Sequence, residues 1–314
     1  MSATAFARPT GLTWTVLRLH RVALRLWTAY VALTAAALVW LWGPGTNGLD
    51  ISGHCRSGSV SGCTAEGPTG TSYHYVITLV DGTLTALPFA VAVFAGAVLV
   101  GRELERGTAH LAWTQGVTPA RWLAAKLFVP ALLLTTGTGL LVLLRHAVAA
   151  RARGLNDNVW FNGAYDVLGP TAVALPLLGL ACGVLGAVLQ RKMLAAGGLA
   201  AVLLLLLSVC VKALHPHLWP ARTVISKVEV GYTGVSGDYL DEGAVTSSGA
   251  HIADPICVDD KKCLADHDVV GYFSSYHPAS HFWPLQLVES AVLLGLAAAV
   301  STLAFLVLRK RVAA

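Results

Sequence analysis

VLGPTAVALPLLGLACGVLGAVLQRKMLAAGGLAAVLLLLLSVCVKA, residues 167–213, is two apolar runs meeting at one basic pair, Arg191 and Lys192. A helix rising about 1.5 Å per residue needs roughly 20 predominantly apolar residues to cross a hydrocarbon core about 30 Å thick. Residues 167–189 and 194–213 each supply that length, and only a tight turn fits between them. The pair therefore reads as two antiparallel membrane helices, the second returning the chain to the side from which the first set out. Hydrocarbon offers the backbone no hydrogen-bond partner, so a lone segment must satisfy itself as a helix, and the period-two alternation of barrel strands is absent.

Four further runs qualify on either side, at 24–43, 82–101, 123–144 and 285–308, giving six spans. Composition agrees. The 314-residue chain is 55% hydrophobic and 12% charged, with a mean hydropathy of +0.64, whereas soluble domains carry about a quarter charged residues. The net charge of +5 comes from short clusters beside apolar runs. No basic stripe with interleaved aromatics exists, which argues against nucleic-acid binding. Met1 to Gly11 lacks the apolar core and cleavage site of a secretory signal, so the first run is expected to be a retained span.

Basic residues in short loops orient the spans. With the N-terminus inside, the cytoplasmic side receives Arg8, Arg18, Arg21, Arg25, Arg102, Arg106, Arg121, Lys126, Arg191, Lys192, Arg309, Lys310 and Arg311, against Arg56, Arg145, Arg151 and Arg153 outside. The Arg145, Arg151 and Arg153 cluster is an exception, assigned to lipid headgroups or a partner. Both termini are then cytoplasmic in the plasma membrane. The chain divides into 1–23 (N-terminus and elbow), 24–213 (spans one to five, with outer loop 44–81 and inner loop 102–122), 214–284 (outer loop) and 285–314 (span six and C-terminus). Cys55, Cys63, Cys257 and Cys263 fall on the outer, oxidising face and read as two local disulfides, Cys55 with Cys63 and Cys257 with Cys263, although cross-loop pairing is also open. Cys182 and Cys210 read as small buried apolar residues. Trp40, Trp42, Trp160 and Trp283 at outer ends, with Trp14, Trp113 and Trp122 near the inner face, form interfacial belts.

Trp14 to Arg25 places Arg18, Arg21 and Arg25 at helical spacing among apolar residues and can lie along the inner surface as an amphipathic elbow. Between spans two and three, GRELERGT (101–108) holds a short charged helix in which Glu103 and Arg106, three apart, can pair. Gly107 and Thr108 interrupt it. Thr118 is a candidate N-cap with Pro119 in the first helical position, so a new helix starts there and continues as span three. A charged helix held rigidly between two spans suits contact with a cytoplasmic motor.

RELERGT (102–108), WTQ (113–115) and RWLAAK (121–126) resemble the coupling region of type-2 ABC transporter permeases, particularly the six-span actinobacterial kind, and YHPASHFWPLQ (276–286) with Glu289 resembles their entry into the last span. The resemblance implies an all-α, six-span integral membrane subunit with an elbow helix and both termini inside; the sizeable last outer loop departs from many exporters of the class, and its cysteines and turn residues read as a small disulfide-pinned extracellular cap. It implies pairing with a second permease subunit, as a homodimer or with a paralogue. It also implies contact with a cytoplasmic ATPase through Arg102, Glu103, Glu105, Arg106, Gly107 and Thr108. ATP and Mg belong to that partner, since no Gly-x-x-x-x-Gly-Lys-Ser/Thr loop occurs in this chain. No cofactor or catalytic residue is expected in the chain itself. The expected cargo is an amphipathic small molecule such as a drug, antibiotic or lipid.

Glu289, about one turn into span six, is the candidate intramembrane carboxylate for substrate or subunit interface, against the reading that it is interfacial and reached by water. Asp81 is expected to cap span two. Pro88, Pro130 and Pro176 lie inside spans and can kink them. The last outer loop gathers six histidines beside Asp254, Asp259, Asp260, Asp266 and Asp268, but their spacing matches no ordered ligand set, so no metal site is expected. Val224 to Tyr232 alternates as a strand. Two other classes remain open: an ATPase-linked sensor without transport, and a membrane enzyme with a metal-dependent site in that loop.

Overall fold

A computed structural model of the chain describes residues 20–52, 64–151, 164–232, 237–257 and 260–313. Helix α1, Arg21–Trp40, widens into a π-helical turn at Leu41–Gly45 that accommodates Pro44. Strands β1, Asp50–Ser52, and β2, Thr64–Glu66, pair antiparallel. Helix α2, Gly70–Phe94, passes through a π-helical segment, Ala95–Gly101, into α3, Arg102–Glu105. After Gly107 come α4, Thr108–Thr114, and α5, Pro119–Arg151. The short α6, Tyr165–Leu168, leads to α7, Thr171–Gln190, and α8, Met193–Leu214. The cap contains β3, Arg222–Lys227, β4, Gly237–Thr246, β5, His251–Ile252, α9, Lys261–Asp266, and β6, Val269–Pro278. Helix α10, Phe282–Ala313, closes the chain.

Six helices are long and apolar enough to cross a membrane. The run from Gly70 to Glu105 has 36 residues, about 54 Å of helix, so its ends protrude from any hydrocarbon core about 30 Å thick. The bundle has two distinct ends. The α3–α4 hairpin and the Arg191–Lys192 turn mark one; the cap and the α1–α2 connection mark the other.

Helix α7 is the most buried span and packs against α2, α5, α8 and α10. Its small residues allow that. In lipid, helices gain nothing from hydrophobic burial against each other, so close backbone approach has to supply the contact. A Cβ at Gly183 would stand 2.6 Å from the Ala92 carbonyl oxygen, and one at Gly179 would strike the Pro88 carbonyl. Gly183→Val is therefore expected to destabilise the bundle by about 1–3 kcal/mol through overpacking. Gly198→Val, where a Cβ meets nothing within 4 Å, should leave stability unchanged. Thermal unfolding of the purified chain in nanodiscs distinguishes the two.

The cap is a four-stranded antiparallel sheet of order β3-β6-β4-β5, with Ile225 opposite Phe273 and Phe273 opposite Gly243. His251 stacks on Phe273 with ring centroids 4.0 Å apart. Asp260 caps α9 by accepting from the backbone N–H groups of Lys262 and Cys263, and Cys263 is disulfide-bonded to Cys257. Strand content of this size makes the chain mostly helical and not all-α.

Several expectations need correction. Span two begins at Gly70, so residues 70–81 belong to a helix and not to the outer loop, and Asp81 lies inside α2 where it caps nothing. Arg145 is not a surface cation but the buried partner of Asp81. Arg151 donates to Asn47 Oδ1 at 2.9 Å and lies over the Trp42 ring. Cys182 is buried as expected, whereas Cys210 is exposed on α8 and faces outward from the bundle. Helix α10 starts at Phe282, so Glu289 sits two turns in. Cys55, Cys63, Arg153, Trp160 and the elbow up to Leu19 lie outside the described residues.

Candidate functional site

At the hairpin end, Gly107 has φ +72°, a left-handed conformation that glycine adopts without penalty, and it turns the chain from α3 into α4. Because α3 continues the helical run of α2, its side chains are aimed by that span. Glu103 Oε1 accepts from Lys126 Nζ, and Glu103 Oε2 accepts from the Trp122 indole N–H at 3.1 Å. Lys126 is 2% exposed. Its Nζ also lies 3.1 Å from His20 Nε2. Burial first, then the Lys126 charge, hold the His20 imidazole down to about 4 against the pull of Glu103, so the ring is neutral and accepts from the ammonium. Trp122 and Lys126 lie four residues apart on one face of α5, and that spacing was the available sequence signal for this site.

Glu105 acts on another helix. Its Oε2 accepts from the backbone N–H of Met193 at 2.7 Å, where the first turn of α8 would otherwise leave donors unpaired and where a negative charge meets the positive end of the helix dipole. Thr108 Oγ donates to the Glu103 carbonyl, and Thr118 Oγ accepts from the Arg121 N–H as the N-cap of α5, with Pro119 first in the helix. The expected pairing of Glu103 with Arg106 does not occur, because Lys126 and Trp122 occupy both carboxylate oxygens. Arg102, Arg106, His110, Leu111, Thr114 and Gln115 are left exposed. The hairpin is thus the end of span two, tied by Glu103 to span three and by Glu105 to span five, with a mixed basic and polar outer surface.

In the bundle, Arg145 Nε and Nη2 donate to the two carboxylate oxygens of Asp81 at 2.8 and 2.9 Å. At the cap end, Glu289 is 2% exposed. Its Oε2 accepts from the Tyr165 hydroxyl at 2.9 Å and stands 2.9 Å from His215 Nδ1. Burial first, and then the Glu289 carboxylate, push the Tyr165 phenol above its ordinary range, so it remains a donor. Gln286 accepts from the N–H and hydroxyl of Thr171 and donates to the Tyr165 carbonyl, fixing α10 against the α6–α7 connection. Glu289 is therefore a packed, hydrogen-bonded carboxylate and not one lying open at the interface. Among the described residues no three His, Cys, Asp or Glu side chains converge as a metal-ligand set.

Residues 28–215 match the family described as ABC-2 membrane transporter related. The chain belongs to that family. The match runs from Thr28 within α1 through α8, including the whole α3–α4 hairpin and His215, and stops before the cap sheet and α10. No curated protein and no solved structure matches the chain. As a member of the ABC-2-related family with six apolar helices, the chain is a multi-pass membrane protein of a transport type.

Proposed function

We propose that this ABC-2-related chain is the permease subunit of an ATP-binding-cassette exporter. The six helices sit in the plasma membrane with the hairpin end in the cytoplasm and the cap outside. A separate ATPase, carrying ATP and Mg, docks on the hairpin; a second permease subunit completes the pathway; the cargo is an amphipathic small molecule such as a drug, antibiotic or lipid. The observation that carries this reading is the tethering of the hairpin to three spans at once. Closure of an ATPase against α3 and α4 would displace the end of span two, pull span three through Glu103 and Lys126, and pull span five through Glu105 and the first turn of α8. Force applied at one exposed surface thereby biases the whole bundle between two arrangements.

In this reading the six proposed coupling residues divide by role. Glu103 and Glu105 transmit within the permease, Gly107 and Thr108 shape the turn, and Arg102 and Arg106 face the partner. Charge reversal of Arg102 and Arg106 to Glu is expected to weaken co-purification with the cognate ATPase by at least tenfold, consistent with several lost charge contacts at an interface, while the unfolding temperature stays at the wild-type value. Unchanged ATPase binding in that variant overturns the docking assignment. Accumulation of a fluorescent amphiphile in vesicles then separates an exporter from a sensor, since a sensor would change ATPase rate and accumulate nothing.

A further inference from the structure

Among the described residues a chain of ionisable groups runs from the bundle into the cap. His215 follows the last turn of α8; its Nδ1 meets Glu289 of α10, and its Nε2 lies 3.7 Å from Asp238 Oδ2 on β4. In the tautomer whose Nδ1–H donates to the Glu289 carboxylate, the ring hydrogen sits on Nδ1. In the neutral ring Nε2 then holds a lone pair and faces a carboxylate, and 3.7 Å exceeds a hydrogen bond. A proton on Nε2 reverses this contact. The imidazolium would donate to Glu289 with one nitrogen and to Asp238 with the other, bridging the membrane helix and the cap strand.

We infer that His215 is a proton-operated latch whose protonation draws β4 of the cap onto the bundle through a Glu289–His215–Asp238 bridge. Every element around it brings identifiable groups. Tyr165 and Asp166 come from α6, and Asp166 is paired with Lys212 of α8. His217 shares the turn of His215, His277 comes from β6, and His281 precedes α10. Helix α7 contributes no charged side chain. His277 is fully buried, with Nδ1 3.2 Å from His281 Nδ1. Burial above all lowers its affinity for a proton, and protonating both rings of that pair would part them. The His277–His281 pair thus cannot supply the latch. Register adds leverage, because Asp238 stands opposite His277 in the sheet, so the bridge acts at the membrane-proximal end of both central strands.

Imidazole is the side chain whose charge ordinarily changes between about pH 5 and 8. Hydrogen–deuterium exchange of the full chain in nanodiscs, corrected for intrinsic exchange rates, should show protection of residues 237–242 rising on the order of tenfold or more between about pH 8 and pH 5.5, as expected for one hydrogen bond to a charged group. Asp238→Asn, at a partly exposed position, should flatten that rise without unfolding the cap, and His281→Gln should preserve it. Protection that does not change with pH in the wild type, or an undiminished rise in Asp238→Asn, overturns the latch; so does a rise abolished by His281→Gln. No ATPase enters the measurement, so its failure would leave the permease reading intact.

Discussion

Asp81→Ala is expected to destabilise the chain by about 3–5 kcal/mol, the usual cost of removing one partner from a buried ion pair. Arg145 is 2% exposed, and two of its nitrogens spend their hydrogens on Asp81. Its third nitrogen, Nη1, is buried with no partner among the described residues. A guanidinium cannot discard its charge in proteins. Deleting Asp81 therefore leaves a full positive charge facing Leu141, Leu84 and the other apolar residues packed between α1, α2 and α5. Asp81→Leu combined with Arg145→Met removes both charges and should recover most of the loss, since apolar replacement of a buried pair is often neutral or stabilising. Folded yield and unfolding temperature in nanodiscs report both results. A single variant as stable as wild type would mean that Arg145 reaches water or lipid phosphate, as the excess of basic residues in that segment first suggested.

That pair also marks where reading the sequence reaches its limit. The six spans were legible because length and apolarity are summed over roughly 20 residues, and the sum tolerates scattered polar positions. Asp81 was misread because a charge just before an apolar run is usually a boundary; only a cation presented by another helix makes it cheaper inside, and no window on one strand of sequence contains Arg145, 64 positions away. The hairpin failed in a similar way. Spacing made Glu103 and Arg106 natural partners, but α5 delivers Lys126 and Trp122 to the same carboxylate, and tertiary packing outcompetes a local surface pair worth only a few tenths of a kcal/mol. Turn chemistry fared better. Gly107 and Pro119 act through their own backbone and Thr118 through a hydroxyl that reaches the Arg121 N–H three residues on, so their roles needed no distant partner to be read. The Cys257–Cys263 disulfide was legible for the same reason, its members being six residues apart. The Glu289 network required four elements, α6, α8, β4 and α10, and only the carboxylate itself could be singled out beforehand.

The second large effect is expected at Lys126. Lys126→Met should uncouple ATP hydrolysis from transport while permitting the ATPase to bind, because the exposed surface of Arg102, Arg106 and Leu111, proposed above as the docking face, is untouched. Glu103 would keep only the Trp122 indole as a partner, and the hairpin would lose its main tie to α5. Glu103→Gln keeps the acceptor for Trp122 but removes the charge, leaving Lys126 buried beside a neutral His20. If the two residues work as a unit, a double-mutant cycle on unfolding free energy should show a coupling of about 1–3 kcal/mol, the range for residues in one network. Transport by the double variant should be no worse than by either single one. Arg106→Ala serves as the control. Were the pairing of Glu103 with Arg106 the operative one, Arg106→Ala would reproduce the Glu103 phenotype and Lys126→Met would be mild; the geometry predicts the reverse order. The decisive reading is the ratio of cargo moved to ATP consumed at equal ATPase occupancy. A fall in that ratio on the order of tenfold for Lys126→Met, with occupancy preserved, locates force transmission in the Glu103–Lys126 tie. Loss of occupancy alone would make the tie a matter of folding and move the transmission to Glu105 and α8.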